Sequence, residues 1–138
     1  MIESSTKALS LKCKTINIFL LNSLLKKNVF SKEFFSIRNL HLNKISFFEN
    51  KLLKYGFLDK NFKKKVESSD IIFVHNSNLL KILRNYFPFK KIILFYHTDK
   101  LKQIAEFKYA DKVLTVNKTM ESKVNSIFFN NSIYLHNS

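Results

Sequence analysis

Residues 91–99 read Lys91-Ile92-Ile93-Leu94-Phe95-Tyr96-His97-Thr98-Asp99. The apolar and aromatic side chains from Ile92 to Tyr96 run without a polar interruption, so the alternation of a wet and a dry face is missing. A strand buried on both faces reads this way, and such strands belong to parallel sheets covered by helices. The run stops abruptly at polar residues. Upstream, Asp70-Ile71-Ile72-Phe73-Val74 has the same character and stops at His75-Asn76-Ser77. Downstream, Lys112-Val113-Leu114-Thr115-Val116 stops at Asn117-Lys118, and a last short strand, Ser132 to Leu135, stops at His136-Asn137-Ser138.

The segments between these runs have helical spacing. Leu79, Leu80, Leu83, Tyr86 and Phe87 form a wide apolar stripe that Pro88 ends. Leu101 to Lys108 and Thr119 to Phe128 are the next two predicted helices. Strands that alternate with helices across short loops build βαβ units around a parallel sheet. Right-handed crossovers lay the helices over the sheet. The expected fold is therefore α/β: a Rossmann-like, mostly parallel sheet with helices on both faces, in a single domain spanning 1–138.

Residues 1–69 are less legible. Ser4-Ser5-Thr6 is placed to cap a short helix through Lys12, and Thr15 to Leu21 is a β-rich apolar run. Leu24 to Phe35 is basic and aromatic with no clean period, and Ile37 to Leu42 is a weak strand candidate. Phe47 to Tyr55 is helical in pattern, with Phe48, Leu52 and Tyr55 on one face and Gly56 as its stop. A second helix is expected over Asp59 to Ser68, loaded with Lys60, Lys63, Lys64 and Lys65.

The chain has 138 residues, which suits one domain, and 46% hydrophobic residues, which is enough for a core. It has one Gly and one Pro, so Asn must serve at turns that need the left-handed region. The net charge of +14 invites a nucleic-acid partner. Against this, Arg38 and Arg84 are the only arginines, and specific DNA readers lean on bidentate Arg. Zinc-finger spacing, an RNP-type aromatic motif and a basic helix leading into heptads are all missing, so nucleic acid is not an expected partner. Most of the lysines are read as a solvated surface. Cys13 is the only cysteine, which excludes an internal disulfide and suits a reducing cytoplasm. Met1 to Thr6 lacks the layout of a signal peptide, and no run approaches the ~20 apolar residues of a membrane span. Leu24, Leu25, Val29, Phe30, Phe34 and Phe35 lie among Lys26, Lys27 and Lys32, and Phe48, Leu52 and Tyr55 lie beside Lys51 and Lys54. Such mixtures either complete a core or suit an anionic membrane surface. The expected location is cytoplasmic, with peripheral attachment to the inner face of the membrane as an extension.

Open parallel sheets bind ligands past the carboxyl ends of their strands. The clusters at His75-Asn76-Ser77, His97-Thr98-Asp99, Asn117-Lys118 and His136-Asn137-Ser138 would share that edge. Each also has a structural account. Asn76 or Ser77 can cap the helix near Leu79, Asp99 the one containing Leu101, and Asn117 the one starting at Thr119. Histidine is not a preferred cap; a lone His is commonly a satisfied structural residue, whereas two at matching strand ends, His75 and His97, favour a cleft. No third ligand with metal-binding spacing accompanies them.

Four segments also carry a family resemblance. Asp70-Ile-Ile-Phe-Val-His75-Asn76-Ser77 resembles the D-hydrophobic-V-H-x strand and loop of family 4 glycosyltransferases. Lys91-Ile-Ile-Leu-Phe-Tyr-His97-Thr98 resembles the next strand, which ends in that family's His. Ala110-Asp111-Lys112-Val113-Leu114-Thr115-Val116-Asn117 is similar to its A-D-x-V-hydrophobic-x-V-S/N segment, and Tyr134-Leu135-His136-Asn137 to its last N-domain strand. The match is good over 68–138 and fainter over 4–23. The resemblance implies the N-terminal, acceptor-side domain of a GT-B enzyme, incomplete at both ends. In this chain Asn137-Ser138 replaces the family's usual Asn-Gly turn. It implies that His97 is catalytic and that His75, Asn76 and Asn117 bind the acceptor. No cofactor or metal is implied, and a nucleotide-sugar donor only with a separate C-terminal donor domain. The partners implied are a second polypeptide carrying that domain and a sugar or lipid-linked acceptor. Two readings stand beside a transferase: a non-catalytic remnant or acceptor-binding protein on the same fold, and a basic RNA-binding module.

Overall fold

The computed structural model describes residues 6–7, 9–21, 31–96, 104–128 and 132–134. The element order is β1 (Ile16–Leu21), α1 (Lys32–Phe35), β2 (Leu40–Ile45), α2 (Phe47–Lys54), α3 (Lys60–Glu67) and β3 (Ile71–Val74). A 3-10 turn (Ser77–Leu79) then leads into α4 (Leu80–Tyr86), followed by β4 (Lys91–Tyr96) and a second 3-10 turn (Ile104–Tyr109). The order ends with β5 (Lys112–Thr115), α5 (Lys118–Phe128) and β6 (Ser132–Tyr134). The fold class is the expected one: α/β, Rossmann-like, with every described strand pair parallel. The chain divides into two compact units, Met1–Tyr55 and Gly56–Ser138.

In the first unit β1 pairs with β2 in parallel, with Ile16 opposite Leu40. The strand predicted over Ile37 to Leu42 sits three residues later, at Leu40–Ile45. Asn39 accounts for the shift. Its amide donates to the carbonyls of Ser10 and Cys13, at 3.0 and 2.6 Å, and so pins the turn that precedes β1. Of the cap predicted at Ser4-Ser5-Thr6, Ser4 and Ser5 lie outside the described residues, and Thr6 is already helical, as are Lys7, Leu9 and Ser10. Helix α2 starts at a capping box: Ser46 Oγ accepts from Glu49 N, and Glu49 Oε2 accepts from Ser46 N. It ends where expected, since Gly56 takes φ 86°, a conformation that only glycine adopts without strain. Its inward side chain is Leu53, whereas Phe48 and Tyr55, which share a face in the sequence pattern, are exposed. A short helix with one buried side chain is oriented by that side chain, and here Leu53 takes the place given to Phe48.

The second unit carries a four-stranded sheet in the order β3-β4-β5-β6. Val74 lies opposite Leu94, and Leu94 opposite Val113. One face therefore gathers Ile72, Val74, Ile92, Leu94, Tyr96, Val113 and Thr115, and all but Ile72 are buried. The Tyr96 ring meets Phe107 of the second 3-10 turn edge-on at 4.7 Å, which places that turn on this face. Leu80 and Leu83 of α4, and Met120 and Val124 of α5, are buried with it. The other face, with Phe73, Ile93, Phe95 and Leu114, is mostly half-buried. The sequence pattern implied strands sealed on both sides. Consecutive crossovers of one hand, stepping one way along a sheet, return over the same face and seal that one.

Arg84 and Asp111 lock the edge where β4 and β5 begin. The Arg84 guanidinium donates to the carbonyls of Tyr109, Pro88 and Lys90 at 3.0–3.1 Å and to Asp111 Oδ2 at 2.8 Å. Asp111 Oδ2 also accepts from Ile92 N, and Asp111 N donates to Ile92 O, which extends the β4–β5 ladder ahead of its first strand pair, Ile93 with Lys112. Burial opposes the charge on Asp111. The hydrogen bond from Ile92, the hydrogen bond and charge of Arg84, and the charge of Lys91 outweigh it and hold the carboxyl below its ordinary value. Such a group stabilises the fold above its unfolded pKa, and the contribution is lost as pH falls through the folded one. Asp111→Asn should therefore cost about 1 kcal/mol at neutral pH, a charge-assisted bond discounted for partial exposure. Urea midpoints of variant and wild type should converge below about pH 3.9. A gap of the same size at both pH values would remove this role. Arg84→Lys should cost about 1–2 kcal/mol, because one ammonium cannot reach three carbonyls and a carboxylate in fork geometry.

Candidate functional site

Parallel strands put their carboxyl ends on one edge, so β3 and β5 carry His75 and Asn117 to the same edge of the second unit. His97 follows β4 and lies outside the described residues, as do Asp99 and His136 to Ser138.

His75 comes one residue after Val74, which pairs with Leu94, so it sits level with Phe95 of the neighbouring strand. Its ring stacks on Phe95 with centroids 5.0 Å apart and planes 4° apart. Phe73 meets the same Phe95 ring at 5.5 Å. His75 is half-buried and belongs to the half-buried face of the sheet. Aromatic packing thus sets its ring plane at the strand end.

The two asparagines are helix caps. Asn76 Oδ1 accepts from Asn78 N at 3.1 Å at the start of the 3-10 turn that leads into α4. Asn117 Oδ1 accepts from Thr119 N at 2.7 Å and from Met120 N at 3.3 Å, while its carbonyl takes the first intrahelical bond, from Glu121 N. These are the alternatives the sequence offered for both residues, and their side-chain oxygens are committed to backbone amides. Ser77, the other cap candidate, is buried.

One group escaped the sequence reading. Among the described residues, Oε2 of Glu106 is a buried side-chain oxygen with no hydrogen-bond partner. Glu106 lies in the 3-10 turn Ile104–Tyr109, which packs against α4 and against the turn Ser77–Leu79 just past β3. The sequence carries no signal for it, because Leu101 to Lys108 reads as an α-helix in which Glu106 would face solvent. The structure winds its described part, from Ile104, as a 3-10 turn whose Phe107 is fully buried. No group of three metal-ligating side chains occurs among the described residues. An open groove of about 390 Å³ lies elsewhere, along α2 in the first unit, lined by Phe47, Asn50, Lys51, Lys54 and Tyr55.

If Asn117 is a cap first, Asn117→Ala should lower the unfolding free energy by about 0.5–2 kcal/mol, and Asn117→Asp should restore most of it. Unchanged stability in the alanine variant would free Asn117 for a role in binding alone. Comparison with protein-family models, with curated proteins and with solved structures finds no match for this chain.

Proposed function

We propose that this chain is the acceptor-side part of a nucleotide-sugar-dependent glycosyltransferase of the GT-B type, similar to family 4, which transfers sugar only when a donor domain completes the cleft. One observation carries the reading. Three of the four segments that resemble that family, beginning at Asp70, Lys91 and Ala110, coincide with β3, β4 and β5, consecutive parallel neighbours in one sheet, and the fourth begins at Tyr134, the last residue of β6. Their polar ends therefore share one edge, the usual ligand side of an open parallel sheet.

In this proposal His97 acts at the transferred sugar and the acceptor hydroxyl, and His75 lines the acceptor site. Asn76 and Asn117 serve it by fixing the helix starts that border it. The donor domain, in the same polypeptide or a second one, would hold the nucleotide sugar and stabilise the leaving diphosphate with cations or helix N-termini. No metal is invoked. The acceptor is a free or lipid-linked sugar, and the place of action is the cytoplasm or the inner face of the membrane. A non-catalytic acceptor-binding protein is the second reading, favoured by the commitment of both asparagine oxygens to caps.

Amide chemical shifts in the presence of octyl glycosides of glucose, galactose, mannose and N-acetylglucosamine test the site. At least one glycoside should shift residues 75–77 and 117–118 and leave the Arg84–Asp111 edge unmoved. Shifts scattered over both edges, or none with any sugar, would sink both readings. The purified 138-residue chain should turn over no UDP- or GDP-sugar by itself, because positioning of donor against acceptor supplies much of the rate. Addition of a GT-B donor domain should restore transfer, and His97→Ala should then reduce transfer far more than stability. If transfer never returns, the acceptor-binding reading replaces the transferase.

A further inference from the structure

Helix α2 wears its aromatic side chains on the outside. Phe47, Phe48 and Tyr55 are 83%, 67% and 71% exposed, while Leu53 is only 5% exposed. At about 100° per residue, Lys54, Phe47, Lys51, Tyr55 and Phe48 fall in that order within an arc of roughly 120°, with Leu53 on the far side. Both lysines are exposed. The only acid of the helix, Glu49, lies outside the arc and is held by Ser46 N in the capping box. Three large aromatic groups and two cations thus share one surface with no anion among them. A soluble surface rarely gathers aromatic side chains in this way without a partner.

We infer that this face of α2 docks on an anionic lipid bilayer, with Phe47, Phe48 and Tyr55 entering the interface and Lys51 and Lys54 reaching the headgroups. The chemistry matches term by term. Aromatic rings partition to the interfacial region, and tyrosine keeps its hydroxyl at the wet boundary. Lysine lays its stem along apolar surface and holds its ammonium among phosphates. The net charge of +14 adds a long-range attraction to an anionic leaflet, and Lys51 and Lys54 give it a place on this face. No helix among the described residues is long and apolar enough to cross a membrane, so attachment through α2 is peripheral. A nucleic-acid strand is the competing occupant. Bilayer docking fits better because the cations of this face are lysines and α2 carries no arginine, whereas single-strand sites add arginine to the aromatic platforms on which bases stack. The inference rests on the exposure of α2 and not on the transferase reading, and its test reads no sugar transfer.

The test is co-sedimentation of the full chain with vesicles of phosphatidylcholine alone and of phosphatidylcholine mixed with phosphatidylglycerol, over a salt series. Binding to the mixed vesicles is expected, weakened by salt and absent from the neutral ones. Lys51→Ala with Lys54→Ala should weaken it about 10- to 30-fold. Phe47→Ser, Phe48→Ser and Tyr55→Ser together should weaken it roughly tenfold or more. Circular dichroism and urea midpoints close to wild type would show that the variants fold, because none of these residues is buried. Equal binding to both vesicle types overturns the inference. So does anionic binding that persists in the folded aromatic variant. Oligouridine binding that is lost in the same variants, with no vesicle binding, would also overturn it and give the face to nucleic acid.

Discussion

Strand β4 is paired in parallel on both sides, with β3 and with β5. Parallel neighbours cannot be joined by a tight turn, so each connection has to travel back along the full strand length. Among the described residues the connections are α4 and the 3-10 turn Ile104–Tyr109. Burying Ile92, Leu94 and Tyr96 under that layer seals the sheet on one side, and Phe107 is the keystone between Tyr96 and Phe128. The same constraint sorts the loops. Every strand of this sheet leaves at one edge and enters at the other, so polar clusters far apart in sequence arrive on one rim with no further design.

The two edges have different chemistry as a result. At the entry edge, Arg84 and Asp111 tie the end of α4 to the starts of β4 and β5. Lys90 adds a second tie there, its ammonium bonded to the carbonyls of Glu67 and Ser69 where α3 ends. Cations at a helix C-terminus also favour the helix dipole. Tyr86 Oη donates to Gly56 O at 2.8 Å, which holds the segment before α3 to the end of α4. The entry edge is thus stapled by side chains onto backbone carbonyls. The exit edge holds caps and the His75–Phe95 stack, interactions that fix local geometry and can still border a ligand.

Much of the second unit was legible because buried parallel strands have a strong signature. The runs at 71–74, 91–96 and 112–115 are short, apolar and bounded by polar residues, and each became a strand within a residue of its expected limits. What the pattern could not distinguish was a two-sided from a one-sided core, because Phe73, Ile93 and Leu114 look the same whether sealed or half-buried. Nor could it choose between α and 3-10 winding after β4. The first unit was harder. Its strand β2 reads Leu-His-Leu-Asn-Lys-Ile, with little apolar contrast, and its start depends on the amide of Asn39 reaching carbonyls 26 and 29 residues away. Spacing carries no trace of such a contact. At the rim, sequence gave both outcomes for Asn76 and Asn117, cap or ligand group. The backbone amides within reach of their side chains decided it, and only coordinates hold that information.

The charge of the chain takes on meaning through the same distinction between composition and geometry. Lysine dominates, yet Arg84, one of two arginines, sits where a rigid fork makes four hydrogen bonds, to three carbonyls and a carboxylate. The lysines invert the argument. On α3, Lys63 only faces Glu67 at 3.7 Å across an exposed surface, a pair of small energetic consequence. Net charge alone therefore says little about partners. On α2 the lysines stand among exposed aromatic side chains that the core declined in favour of Leu53. Charge beside outward apolar surface has no structural task within the first unit's core, which is why this helix, rather than the more basic α3, points to a partner.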